Sequence, residues 1–198
     1  MPFTDTQALL PAALDELVAI AARAIHHELA PAVAGAHVVA TPRPELQAAG
    51  ASFVTLKQGQ ALRGCIGSLE ARRALVEDVA ANAVAAAFRD PRFPPLAAGE
   101  FALTIVQVAV LSPATALEFG SEDDLYAQLR PGSDGLIIEH RGRRATYLPS
   151  VWETLPQPRA FVSELRRKAG IERSVAMTAL TVFRYATQHS MLRTLSVA

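Results

Sequence analysis

Cysteine is nearly absent from this chain of 198 residues, which has only Cys65. One cysteine excludes an internal disulfide and any cysteine-rich zinc site. Net charge is absent too, since 19 basic side chains offset 19 acidic ones. A neutral chain has no long-range pull on nucleic acid or an anionic membrane. No apolar run approaches the ~20 residues that cross a bilayer, and Met1-Pro2-Phe3-Thr4-Asp5 lacks the basic start and apolar core of a secretion signal. The expectation is a soluble protein of a reducing cytoplasm, bound to neither nucleic acid nor membrane.

Ligand motifs are missing as well. The histidines His26, His27, His37, His140 and His189 are scattered, and adjacent His26 and His27 point apart on a helix. There is no His-Glu-x-x-His, no Walker spacing and no third glycine of a dinucleotide loop. Neither a metal nor a cofactor is expected. The basic clusters Arg141-Gly142-Arg143-Arg144 and Arg166-Arg167-Lys168 read as solvated turn and helix surface.

What is present is core material, with 51% hydrophobic residues, enough for one domain over residues 8–192 between terminal segments 1–7 and 193–198. Leu10, Leu14, Leu17, Val18, Ala21, Ile25 and Leu29 recur at helical spacing. They predict a helix from Ala8 to Leu29, with Pro11 in its first turn or at its true start. Residues 31–50 read as an irregular connection. Ser52–Lys57 and Ala61–Gly67 read as a hairpin across Gln58-Gly59-Gln60, with Leu62 and Ile66 facing the core and Arg63 and Cys65 facing away. A helix follows from about Arg72 to Phe88, ended by Asp90-Pro91. Phe101–Leu111 is the strongest strand, apolar on both parities and expected to be covered on both faces. A short helix to Leu129, capped by Ser121, precedes a second hairpin, Leu136–His140 with Arg144–Leu148. A helical turn over Ser150–Leu155, a helix over Arg159–Ala169 capped by Gly170 and a strand over Thr181–Thr187 complete the reading. Strands joined by hairpins, with helices between hairpins, predict an α+β fold of mainly antiparallel sheet with flanking helices.

The chemistry centres on Arg63-Gly64-Cys65-Ile66-Gly67. Residues two apart on a strand share a face, which sets the Arg63 cation beside the Cys65 sulfur, and a nearby cation favours the thiolate. The flanking glycines leave the thiol uncovered. Cys65 is therefore a candidate nucleophile; the competing reading is a small buried packing residue. Arg63 either holds a carboxylate or phosphate or pairs with a structural acid such as Glu70 or Asp78. Gly64 and Gly67 form a small anion-binding nest in the functional reading. Asn82 shares the inward phase of Leu75 and Val79, so its amide must find partners, either latching the glycine-rich loop or meeting a ligand. Asp78, one turn earlier, joins it on that side of the helix, with Glu70 and Glu77 further out. The candidate site is thus Cys65 and Asp78 as catalytic groups, with Arg63, Gly64, Gly67 and Asn82 binding substrate.

These residues also carry a resemblance. Phe53-Val54-Thr55-Leu56, Leu62-Arg63-Gly64-Cys65-Ile66-Gly67-Ser68-Leu69-Glu70 and Ala86-Ala87-Phe88-Arg89-Asp90-Pro91-Arg92-Phe93-Pro94-Pro95-Leu96 resemble the AMMECR family, whose bacterial branch is called AmmeMemoRadiSam system protein A. Leu129-Arg130-Pro131-Gly132, Asp134-Gly135-Leu136, Ala145-Thr146-Tyr147-Leu148-Pro149 and Val151-Trp152 fit as well. The likeness runs from about Phe53 to Gly170 and loosely through the first helix; residues 31–50 and the segment after Gly170 depart from it. The resemblance implies two unequal, intertwined lobes around one cleft, with the glycine-cysteine segment near it. It also implies a pathway shared with a Memo-type protein and a radical SAM protein, without an agreed reaction.

Two functional readings follow. In the first, the protein is a thiol-dependent enzyme, or a component of an enzyme system, acting on a small anionic molecule in the cleft near Cys65. In the second, it is a non-catalytic binding or adaptor protein for a Memo-type or radical SAM partner.

Overall fold

The computed structural model describes residues 8–30, 43–190 and 193–195. Most of the connection expected over 31–50, together with His37 and the first seven residues, lies outside them. The chain divides into two compact units, one formed by Ala8–Leu111 with the chain from Gln188 onward, the other centred on Ser112–Thr187.

The first unit begins with helix α1, Pro11–Leu29. Pro11 marks its start, because the first helical position needs no amide donor and proline fixes the required φ. Strands β1 (Ala49–Gly50), β2 (Ser52–Gln58) and β3 (Ala61–Gly67) follow, then β4 (Arg73–Ala74), helix α2 (Leu75–Phe88) and strand β5 (Ile105–Leu111). Helix α2 starts at Leu75 rather than Arg72 because Arg73 and Ala74 pair with Gly50 and Ala49. Strand β5 starts four residues later than expected. Ala98–Leu103 forms a 3-10 turn in which Ala97 N–H donates to Glu100 and the Thr104 hydroxyl donates to the Glu100 carbonyl.

The second unit holds β6 (Thr115–Ala116), α3 (Glu122–Gln128), β7 (Gly135–His140), β8 (Arg143–Tyr147), α4 (Pro158–Lys168) and β9 (Thr181–Tyr185). Strands β10 (Thr187–His189) and β11 (Arg193–Thr194) return to the first unit's sheet. The fold is α+β with antiparallel pairing.

In the first unit the strand order is β10-β5-β2-β3, with β11 also on β5. One face carries Val54, Leu56, Val106, Val108 and Val110 into a core shared with α1 and α2. The register sets Val54 opposite Val108 and Leu56 opposite Val106, so these side chains meet across the strands. On the other face of β5, Ile105 and Gln107 are half-buried, whereas Ala109 and Leu111 are buried. Coverage of both faces therefore holds only for the C-terminal half of this strand. Leu62, expected inside, is 39% exposed. A register shift beside Lys57 makes Arg63 a bulge and sets Leu62 opposite Lys57, on the face away from Leu56 and the core.

The second unit has its own core, with Leu136, Ile138, Val182, Phe161 and Leu165 around Trp152. The Trp152 and Phe161 rings stack at 3.8 Å, and Trp152 Nε1 donates to the Asp134 carbonyl at 2.7 Å. The β7–β8 hairpin turns through Arg141 (φ 47°) and Gly142 (φ 80°), a left-handed pair that suits a two-residue turn. No helix among the described residues is long and apolar enough to cross a membrane.

Candidate functional site around Cys65

Strand alternation decides what Cys65 can meet. Cys65 pairs with Thr55 and Gly64 with Leu56, and adjacent residues point to opposite faces. Gly64 faces α2 so closely that a Cβ there would collide with the Ala86 carbonyl oxygen. The Cys65 side chain therefore points to the face away from α2. It is half-buried, with Sγ 3.4 Å from Thr55 Oγ1. Gln107 pairs with Thr55 on the same row. The glycines act as spacers rather than windows: Gly64 admits the helix, and the Phe53 ring occupies the space that a Cβ on Gly67 would need.

Asp78 and Asn82 stand on α2, on the opposite side of the sheet, and both are buried. Asp78 Oδ2 accepts from Ser52 N (2.9 Å), Ser52 Oγ (2.7 Å) and Asn82 Nδ2 (2.9 Å). Its Oδ1 accepts from Ser68 Oγ (2.7 Å) and Arg73 Nε (3.0 Å). Asn82 Nδ2 also reaches the Ser52 carbonyl (3.1 Å) and Ser68 Oγ (3.2 Å). This network ties α2 to the start of β2 and to the loop after β3. The Asn82 amide is engaged with Ser52, Ser68 and Asp78 in this network. The constellation of Cys65, Asp78 and Asn82 is not assembled, because the sheet stands between the thiol and the two polar side chains. Glu70 pairs with Arg72 (2.8 Å), and Glu77 is exposed.

Arg63 is the second displaced expectation. Its fork meets Glu100 through Nε (2.9 Å) and Nη2 (3.0 Å), and it donates to the carbonyls of Pro94 (2.9 Å) and Pro95 (3.3 Å). The structural acid is Glu100, not Glu70 or Asp78. An incoming anion would have to displace a bidentate carboxylate. Arg63, followed by the Ala97 N–H and the Gln58 amide, holds the Glu100 carboxyl down at about 2, below its ordinary 4.5.

The cation that does approach the Cys65 segment is Arg92. Among the described residues β3 is a sheet edge, so the Cys65 backbone groups face outward without a strand partner there. Asp90 Oδ2 accepts the Cys65 N–H at 2.9 Å, and Arg92 Nη2 donates to the Cys65 carbonyl at 3.2 Å. The two side chains are themselves paired, Nη2 to Oδ2 at 2.7 Å and Nε to Oδ1 at 2.9 Å. They substitute for a neighbouring strand. The Arg92 hydrogen bond, helped by the Cys65 and Arg92 backbone amides, holds the buried Asp90 carboxyl well below the usual carboxylate range. Both residues stand in the run Arg89-Asp90-Pro91-Arg92, but nothing in that run signals that their partner is a strand edge. Thr55, Glu100 and Gln107 carry no signal beyond their place in strands or turns.

Chemically, the assembly is a half-buried thiol beside a hydroxyl, on an edge strand clamped from two directions. Among the described residues, no group of three or more His, Cys, Asp and Glu side chains is placed to hold a metal ion.

Comparison with known proteins gives concordant matches. The family model described as AMMECR1 matches residues 18–190, which extends beyond Gly170. A protein of Thermofilum pendens is 32% identical over 191 residues, covering 87% of this chain and 86% of that protein. A protein of Sulfurisphaera tokodaii is 42% identical over 113 residues, 56% of this chain and 49% of its own length. Among solved structures, an uncharacterized protein from Pyrococcus horikoshii superposes with a TM-score of 0.78 at 27% identity, covering 92% of this chain and 96% of that one.

Proposed function

This chain belongs to the AMMECR1 family, and from that premise we propose that the Cys65 edge and the adjoining ridge Arg92–Pro95 form a preorganised binding surface for a protein partner. The observation that supports this reading is how the polar side chains around β3 are used. Arg63 binds Glu100 and grips the Pro94 and Pro95 carbonyls from beneath. Asp90 and Arg92 hold the strand edge. Asp78 and Asn82 are engaged in the latch on the far face. Arg63, Asp78 and Asn82 are thus engaged in holding strands, helix and loop in place, and a rigid ridge loses little entropy on binding. Pro94 and Pro95 are exposed on it, and Arg92 lies over the Phe93 ring at 5.5 Å. The partner class is the one the resemblance implied, a Memo-type or radical SAM protein.

A second reading keeps the thiol. Cys65 is half-buried and touches a hydroxyl, and its own backbone carbonyl holds the Arg92 cation. In that reading Cys65 reacts with or binds a small anionic molecule, with Arg92 in the role expected of Arg63.

One experiment separates them. Full-length protein carrying Pro95→Arg or Cys65→Ser is tested for co-purification with a Memo-type and a radical SAM protein. Loss of the complex with Pro95→Arg and its retention with Cys65→Ser is the expected result, with unchanged melting temperatures as the control. A complex insensitive to Pro95→Arg overturns the ridge as a docking surface, and one lost with Cys65→Ser moves the function to the thiol.

A further inference from the structure

The second unit carries a groove of about 630 Å³, well apart in sequence from the residues around Cys65. Its lining includes four guanidinium groups, Arg159, Arg166, Arg167 and Arg173, against two carboxylates, Glu122 and Glu172. That size falls within the range of small-molecule cavities, roughly 300–1,000 Å³.

Arg166 is the unusual member. It is only 7% exposed. Nη2 donates to the carbonyls of Glu172 (2.8 Å) and Val175 (2.7 Å), which pins the guanidinium and shapes the loop after α4. Among the described residues Nε has no partner, and Nη1 comes no closer than 3.9 Å to Glu122. A buried cation is well placed only when its charge is matched and its donors are filled. Two carbonyl dipoles and one distant carboxylate leave this one under-matched.

The neighbouring cations are available. Arg159 pairs with Asp123 and Arg167 with Glu164, but Arg159, Asp123 and Arg167 are largely exposed. Exposed pairs contribute little and exchange readily. Arg173 is exposed and makes no ion pair among the described residues. Guanidinium forks match phosphate and carboxylate oxygens two at a time.

We propose that this groove binds a compact small-molecule polyanion, one carrying phosphate groups or clustered carboxylates, with the buried Arg166 as its fixed positive base and Arg159, Arg167 and Arg173 closing on it from the rim. The site is independent of the Cys65 surface and stands or falls by its own test.

The test is an NMR titration of the full ¹⁵N-labelled chain with inorganic pyrophosphate and, separately, citrate, at constant ionic strength. The expected result is saturable movement of the backbone amides of residues 159–173 with at least one of the two, the better ligand showing which oxyanion is read. Arg173→Glu, an exposed change, weakens that binding about tenfold or more while the remaining signals stay in place. Unsaturable shifts at millimolar concentration, shifts scattered over other basic surface, or equal affinity in the variant overturn the proposal. So does binding of a polyglutamate peptide where neither small anion binds, which would make the groove a protein-docking site.

Discussion

A side chain at position 64 would have to enter the space of the Ala86 carbonyl oxygen, a backbone atom in the middle of the core. Gly64→Ala must therefore push α2 off the sheet or distort β3. Overpacking costs roughly 1–3 kcal/mol, and a clash with backbone belongs at the upper end. Gly99 is a matched control, with open space for 4 Å around the position a Cβ would take and no positive φ. Urea unfolding should show a large loss for Gly64→Ala and a change within about 0.5 kcal/mol for Gly99→Ala. Similar midpoints for the two variants would mean that the helix does not rest on Gly64. The same residue accounts for part of the gap between sequence and site. A glycine beside a cysteine suggests an uncovered thiol, whereas strand alternation turns the two residues to opposite faces.

At the scale of elements, β3 is held by two clamps, Asp90 with Arg92 at its edge and Glu100 on Arg63. Both carboxyls are depressed in the folded state, Glu100 to about 2 from 4.5. A carboxyl depressed on folding stabilises above its unfolded value, and the contribution is lost as pH falls through the folded value. Stability should therefore decline from about pH 4.5 towards 2 as Glu100 takes up its proton. Glu100→Gln removes this proton linkage, lowers stability at neutral pH by roughly 1.5–3 kcal/mol because the buried Arg63 loses its counter-charge, and flattens the decline. The check is the urea midpoint of both proteins at several pH values; parallel curves would show that Glu100 is not linked. The hairpin itself was legible, because alternation and turn chemistry are local. The clamps were not, because Arg63 and Glu100 are 37 residues apart and Cys65 and Asp90 are 25 apart.

At the scale of the whole molecule, each unit has its own buried cluster. Trp152, the only tryptophan, belongs to the second and stacks on Phe161. Phe161→Ala leaves a cavity against the indole and should cost about 3–5 kcal/mol, read as an earlier urea transition in tryptophan fluorescence. An unshifted transition would show that the stack is not a determinant of that core. The sequence by itself determined the α+β class, the hairpins, the family and the inward phase of Asn82, since each depends on neighbours two to four residues apart or on a contiguous motif. Only the tertiary structure decided that Arg92 rather than Arg63 reaches the Cys65 segment, that the sheet separates Cys65 from Asp78, and that Arg166 is buried beneath a basic groove. Periodicity says which way a side chain points, but the atom it meets is set by the packing of distant segments, on which a local pattern carries no information.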